Sequence, residues 1–287
     1  MNAKANIHLQ QTIACNKTLL IKVGGSILHD EQKIISLCMN IKTIKEAGFQ
    51  IILVHGGSKA INETLAIHGI QAEFVDGLRV TSAAAVKIIE MVLCGHVNSL
   101  IVRKLNNIGV AAVGLSGADQ KMLLCNYYSK IHGFVGEVKA INAAIIHHLL
   151  SLKNTDSCSI PVISTIGVDK DGNALNINAD MAACHLANEL RVDQLIYLTD
   201  QDGIYDGNGN IFSQLSEENI ETLIEQSIVS GGMLIKAKAV LTSLKVGLNK
   251  ILILNGNQEN VLLDVLFYKK KRGTLCEKQS HLPYEIA

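Results

Sequence analysis

Leu19-Leu20-Ile21-Lys22-Val23-Gly24-Gly25-Ser26 is echoed further along the chain by Ile51-Ile52-Leu53-Val54-His55-Gly56-Gly57-Ser58. Each is an apolar run of strand length that stops at Gly-Gly-Ser, and each is followed by a stretch of helical period. Near-continuous apolar strands alternating with amphipathic helices predict a mostly parallel sheet covered on both faces. In such sheets ligands bind beyond the carboxyl ends of the strands, where both glycine pairs lie. Backbone N–H groups at a helix start attract anions, and glycine lets the anion come close. A single Gly-Gly pair reads equally well as a tight turn beside a closely packed helix. Two of them, with Lys22 beside the first, point to two loops that grip one phosphorylated assembly.

The alternation continues along the chain. Strands are expected at 18–23, 51–55, 110–115, 161–165, 194–199 and 250–255, with a strand or hairpin region over 123–138. Helices are expected at 31–47, 58–68, 141–152, 179–190, 216–226, 233–246 and 261–267. In the first of these Ile34, Leu37, Cys38, Ile41 and Ile44 share one face, and Gly48 ends it. A longer helix starts at Thr81 or Ser82 and carries Val86, Ile89, Leu93, Val97, Leu100, Leu105 and Ile108. Gly109 closes it, and Gly95 is a point of interruption. Asp206-Gly207-Asn208-Gly209-Asn210 reads as a turn. Lys269–Arg272 reads as a basic tail. No internal repeat and no linker stand out, which leaves any lobe boundary near residues 155–175.

With 287 residues, 48% of them hydrophobic, the chain can bury a large core. Lys+Arg and Asp+Glu are both 26, so the formal charge is zero and no footprint for nucleic acid or anionic membrane is present. No apolar run reaches the length of a spanning helix. The stretch 1–16 is polar and lacks the apolar core of a signal peptide. The seven cysteines are scattered without a C-x-x-C spacing, which fits small core residues in a reducing cytoplasm. No H-E-x-x-H occurs among the ten histidines, and His185 with Glu189 makes only two ligands, so no metal site is expected. Neither G-x-x-x-x-G-K-[ST] nor G-x-G-x-x-G is present. Phosphoryl chemistry in this chain must use another arrangement.

Further segments carry residues suited to that chemistry. Lys22 is either an edge-strand lysine reaching solvent or a cation facing a ligand. Arg79, in Asp76-Gly77-Leu78-Arg79-Val80-Thr81, is either a surface arginine or a bidentate partner for a carboxylate. In Leu175-Asn176-Ile177-Asn178-Ala179-Asp180, Asn178 suits a helix cap and Asp180 the first turn, whereas capping leaves Asn176 unexplained. Ser230-Gly231-Gly232-Met233-Leu234-Ile235-Lys236 places a third glycine pair before a helix. Lys236 there is either solvated, like Lys238, or a second cation aimed at phosphate.

Taken in order, these segments resemble the amino acid kinase family from about Leu19 to Thr274. Leu115-Ser116-Gly117-Ala118-Asp119, Gly133-Phe134-Val135-Gly136-Glu137-Val138 and Leu198-Thr199-Asp200 add to the likeness. The resemblance implies a three-layer α/β/α sandwich with an open, mainly parallel sheet, and two lobes in one chain. Residues 1–17 would be an N-terminal extension, 18–170 an acyl-amino-acid-binding and dimerisation lobe, and 171–287 a nucleotide-binding lobe. Gly77-Leu78-Arg79-Val80-Thr81 favours the members that phosphorylate N-acetyl-L-glutamate with ATP and Mg2+ in arginine biosynthesis. N-succinylglutamate, another amino acid acceptor, or an inactive nucleotide-binding relative are the alternatives. The family roles carry over residue by residue. Lys22 and Lys236 would stabilise the transferring phosphoryl group, and Asp180 would orient both. Gly25 and Gly57 would hold phosphate oxygens. Gly57, Ser58, Arg79 and Asn176 would bind the acceptor. Asp200, Gln201, Asp202, Gly203, Ile204 and Tyr205, with Ile228, Val229 and Ser230, would bind nucleotide. Ser58 departs from the family, which usually has a third glycine there. Arginine-inhibited members form hexamers through an added N-terminal helix. The weak Ile7, Leu9, Ile13 pattern here leads to the expectation of a cytoplasmic homodimer.

Overall fold

The structure is a computed structural model and describes residues 17–151, 158–206 and 208–278. The readings of residues 1–16, of Leu152 in its expected helix and of Gly207 in its turn lie outside those residues. Among the described residues the strands, in chain order, are β1 Thr18–Val23, β2 Gln50–His55, β3 Glu73–Val75, β4 Leu78–Val80, β5 Ala112–Ser116, β6 Leu123–Tyr127 and β7 Gly136–Ile141. They continue as β8 Ile160–Ser164, β9 Ile166–Val168, β10 Ala174–Asn176, β11 Gln194–Thr199, β12 Gln214–Ser216, β13 Lys250–Asn255 and β14 Thr274–Glu277. The helices are α1 Glu31–Glu46, α2 Ser58–Ile67, α3 Ala83–Asn107, α4 Ala144–Leu150, α5 Ala179–Glu189, α6 Glu217–Glu225, α7 Gly231–Lys245 and α8 Val261–Leu266.

Eight strands form one sheet in the order β12-β14-β13-β11-β1-β2-β8-β5. Every neighbouring pair is parallel except β13 with β14. β1 lies in the middle, in register with β2 on one side (Lys22 opposite Val54) and with β11 on the other (Lys22 opposite Tyr197). Side chains alternate between the two faces of a strand. Leu19, Ile21 and Val23 therefore join a core under α1, α2, α3 and α8, while Leu20 joins a core under α4, α5, α6 and α7. Lys22 has the parity of Leu20, and so it faces the α5 and α7 layer. This period-of-two argument places the first candidate lysine.

Local sequence starts the helices as expected. The Asp30 carboxylate accepts from the Gln32 and Lys33 N–H groups at the head of α1, and the Ser82 hydroxyl accepts from Ala85 N–H at the head of α3. Asn178 Oδ1 accepts from the Asp180 and Met181 N–H groups, which places the Asp180 carboxylate in the first turn of α5. Gly95 marks a real irregularity, since Met91–Asn98 within α3 is wound as a π-helix.

Several readings need correction. The segment 110–115, expected as a strand of a sheet covered on both faces, forms β5, which among the described residues pairs only with β8 at the sheet edge and leaves Val113 and Gly114 exposed. Lys269–Arg272 is not a tail. It leads into β14, and Lys270 and Arg272 pair with Asp264, because the strand after it completes the sheet beside β13. The strands β3, β4, β9, β10, β12 and β14 went unread, being three or four residues long and too short for a period to show. Finally, α3 is long and apolar enough by length and composition to span a bilayer. Half of its apolar window is buried, with Val86, Ile89, Leu93, Val97, Ile101 and Leu105 in the core, which accounts for that composition.

Candidate active site

Lys22 from β1, Asp180 from α5 and Lys236 from α7 converge beyond the carboxyl end of the sheet. Lys22 Nζ is 2.7 Å from Asp180 Oδ1 as an ion pair, and Lys236 Nζ donates to Asp180 Oδ2 at 2.9 Å. All three residues are buried. Burial alone pushes the Asp180 carboxyl's pKa up, but the Lys22 and Lys236 ammonium groups outweigh it and hold the pKa below the ordinary carboxylate value. Asp180 is thus an anion between two cations whose charges it fixes in place. A backbone contact adds to this: the Tyr197 hydroxyl, fully buried, donates to the Asp180 carbonyl at 3.1 Å. The surface-lysine readings of Lys22 and Lys236 are therefore excluded.

The two Gly-Gly-Ser turns meet beside this triad. A Cβ on Gly25 would lie 3.1 Å from the Ser58 nitrogen and 3.6 Å from the Gly57 Cα. A Cβ on Gly57 would lie 2.9 Å from Leu93 Cδ2. Glycine is needed at both for close approach. The Gly25 and Gly57 N–H groups donate to no acceptor among the described residues. Ser58 is exposed at the first position of α2.

A cavity beside these turns is lined by Gly57, Ser58, Phe74, Arg79, Thr165 and Asn176, among others. Arg79 is buried, its Nη1 and Nη2 have no hydrogen-bond partner among the described residues, and its guanidinium lies 4.7 Å from the centre of the Phe74 ring. A buried guanidinium with both arms free is costly unless an anion completes it, and a carboxylate matches its fork. Burial lowers the pKa of this group. Asn176 Nδ2 donates to Thr81 Oγ1 at 3.2 Å from the cavity wall.

A second cavity, of about 460 Å³, is lined by Asp180, Lys236, Thr199, Asp200, Gln201, Tyr205, Ile228, Val229, Ser230 and Gly232. That volume is in the range of small-molecule sites. The N-terminal turn of α7 opens onto it, and Gly231 and Gly232 have empty space where a Cβ would stand, as an anion site at a helix start requires. Gly77 and Asn178 border both cavities. Three of the residues singled out for nucleotide lie elsewhere. Asp202 Oδ1 accepts from Asn255 and Gln258, Gly203 packs on Thr274, and Ile204 is fully buried with its N–H bonded to Thr274 Oγ1.

The geometry has a family counterpart. Residues 17–255 match the model of the amino acid kinase family. The chain belongs to that family. An acetylglutamate kinase of Clostridioides difficile (strain 630) is 38% identical over 268 residues, covering 92% of each chain. An acetylglutamate kinase of Aquifex aeolicus (strain VF5) is 36% identical over 275 residues, covering 90% of this chain and 91% of its own. Among solved structures, N-acetylglutamate synthase from Neisseria gonorrhoeae, complexed with coenzyme A and N-acetyl-glutamate, superposes with a TM-score of 0.84 at 21% identity. The match covers 97% of this chain and 63% of that one, and shows a shared fold.

Within this amino acid kinase the structure adds residues that pattern reading passed over. Phe74, Thr165 and Thr199 line the cavities. Phe74 carried one weak signal, an aromatic side chain just before the Asp76-Gly77 turn. Thr199 lay within the Leu198-Thr199-Asp200 stretch of the family likeness, and Thr165 carried no signal beyond following an apolar run.

Proposed function

We propose that the protein transfers the γ-phosphoryl group of ATP to the side-chain carboxylate of N-acetyl-L-glutamate, giving N-acetyl-L-glutamyl 5-phosphate and ADP in arginine biosynthesis. The observation that carries this reading is the Lys22–Asp180–Lys236 arrangement between a cavity that ends in the unpartnered Arg79 and one that opens on the head of α7.

An oxygen of the acceptor carboxylate forms the new bond to γ-phosphorus as the bond to the β–γ bridging oxygen breaks. A carboxylate is ionised at neutral pH, so the step needs no general base. The buried His55 imidazole, next to Gly56-Gly57 in the chain, is held neutral by burial with a pKa of about 4, and its Nε2 lone pair faces the Asn98 amide nitrogen. Catalysis then rests on position and charge. Arg79 would hold the acceptor's α-carboxylate. The Gly25 and Gly57 N–H groups and the Lys22 and Lys236 ammonium groups would surround the phosphoryl oxygens. Asp200, Gln201, Tyr205, Ile228, Val229 and Ser230 would take the nucleotide. Among the described residues no group of three or more metal-ligating side chains occurs. In this reading Mg2+ would arrive on the ATP phosphates and offset their charge.

In this reading residues 18–170 supply the acceptor side, joined by Asn176, and the rest of 171–287 the nucleotide side. The edge strand β5 with its exposed Val113 supports pairing of two copies as a homodimer. Free thiols at Cys38, Cys94, Cys125, Cys158, Cys184 and Cys276 suit a cytoplasmic protein. The test traps the acyl phosphate with hydroxylamine while N-acetylglutamate, N-succinylglutamate, glutamate and aspartate are compared as acceptors. N-acetylglutamate should give the highest kcat/KM, and a clear preference for free glutamate or aspartate would overturn the assignment.

A further inference from the structure

The second glycine turn is held from behind by a buried polar relay that the proposed chemistry does not use. Asn98, which closes the π-helical stretch of α3, points its side-chain nitrogen at the Val162 carbonyl (2.8 Å) and the Leu115 carbonyl (3.3 Å). Two carbonyl oxygens accept only, so they force the amide nitrogen towards them. That same nitrogen, which cannot accept, is 3.0 Å from His55 Nε2, so Nε2 carries no proton and shares the two amide hydrogens with the carbonyls. The imidazole proton then resides on Nδ1, 3.0 Å from the Gly56 carbonyl oxygen, and donates to it. His55 is wholly buried and Asn98 nearly so. Gly114 leaves the room Asn98 needs, since a Cβ there would collide with Asn98 Oδ1. In a trans peptide the C=O and the next N–H point opposite ways. Holding the Gly56 oxygen towards the interior sends the Gly57 N–H outward, into the cavity that Gly57 lines.

We infer that His55 and Asn98 are positioning residues, which hold the Gly56–Gly57 peptide in the orientation that aims the Gly57 N–H at the transferred phosphoryl group. This rests on the reading of Gly57 as a phosphate donor given above. The same π-helical stretch presses Leu93 and Val97 against Gly57, at 2.9 and 3.3 Å from where its Cβ would be, so the turn is braced by side chains as well as by the relay.

Ring-labelled nitrogen NMR on the wild-type chain reads the tautomer without reference to activity. The His55 signal, assigned by its loss in His55→Asn, should show a protonated Nδ1 and a bare Nε2 near neutral pH. The opposite tautomer overturns the proposal. Kinetics test the function of the relay. Asn places a donor where Nδ1 stands, and Gln places one where Nε2 stands. His55→Asn should retain about tenfold more kcat than His55→Gln, and Asn98→Leu should lose about tenfold or more in kcat, with KM for N-acetylglutamate within about twofold. A role confined to stability lowers Tm without separating the two His55 variants. Equal kcat in both, corrected for folded fraction, overturns the proposal. If no acceptor is phosphorylated by the wild type, the functional reading fails, and the tautomer still decides whether the relay exists.

Discussion

Replacing Asp180 with Asn removes one charge, almost no volume, and the centre of the site. In the wild type the carboxylate lies 2.7 and 2.9 Å from the two ammonium groups. With charge centres about 4 Å apart and an effective dielectric near 20, each attraction is about 4 kcal/mol before desolvation. Much of that offsets the cost of burying three charges, so the measurable loss is smaller. Breaking a buried pair by removing one partner costs about 3–5 kcal/mol. Because the amide oxygen of the introduced asparagine still accepts one hydrogen bond, the loss belongs at about 3 kcal/mol, a fall of about 6 °C in Tm at about 2 °C per kcal/mol. The phosphates of ATP would replace the missing negative charge, so ATP should raise the Tm of Asp180→Asn by more than it raises that of the wild type. The lysines, no longer held at fixed positions, should serve the transition state poorly, and kcat should fall about 10²-fold while KM for ATP does not rise. Calorimetry with and without ATP, together with the hydroxylamine assay, reads all of these. A Tm within about 1 °C of wild type with kcat within about threefold would refute the argument that this carboxylate organises two buried cations.

Further outcomes follow from the same geometry. Lys22→Ala and Lys236→Ala should each lose about 10²–10³-fold in kcat, and near-normal turnover by either variant would remove that lysine from the mechanism. Arg79→Lys keeps the charge but not the fork. Its KM for the acyl acceptor should rise about tenfold or more while KM for ATP is unchanged, and the reverse pattern would move Arg79 to the nucleotide side. Gly57→Ala forces Leu93 and Val97 to give way, so it should lose about 1–3 kcal/mol of stability as well as kcat. The Asp180 carboxyl has a folded pKa below its unfolded 3.8, so its contribution is full above that value and is lost as pH falls from there towards the folded pKa. Acid denaturation followed by circular dichroism should therefore show wild type losing more stability than Asp180→Asn below about pH 4.

The amino-acid sequence by itself determined the architecture and one half of the site. Apolar runs broken at Gly24-Gly25 and Gly56-Gly57 are enough to predict parallel strands with anion-binding turns at their carboxyl ends. The strand period gives Lys22 the parity of Leu20, and only the assembled layers say which helices cover that face. These are local properties, since strand period, helix period, caps and turns act over a few residues. What the tertiary structure decided is which distant segments became neighbours. Nothing local to Lys22, Asp180 or Lys236 says that they meet, because α5 and α7 come together only once the crossovers stack them on the same face of β1. Arg79 is of a residue type usually found at the surface and is buried because β3 and β4 fold it, with Phe74, over the cavity beside the second glycine turn. The Asn98–His55–Gly56 relay likewise depends on α3 being wound as a π-helix where it crosses the ends of β2 and β8. Burial and the pairing of charges are properties of the assembled layers, and so the two opening glycine turns acquire their partners only in three dimensions.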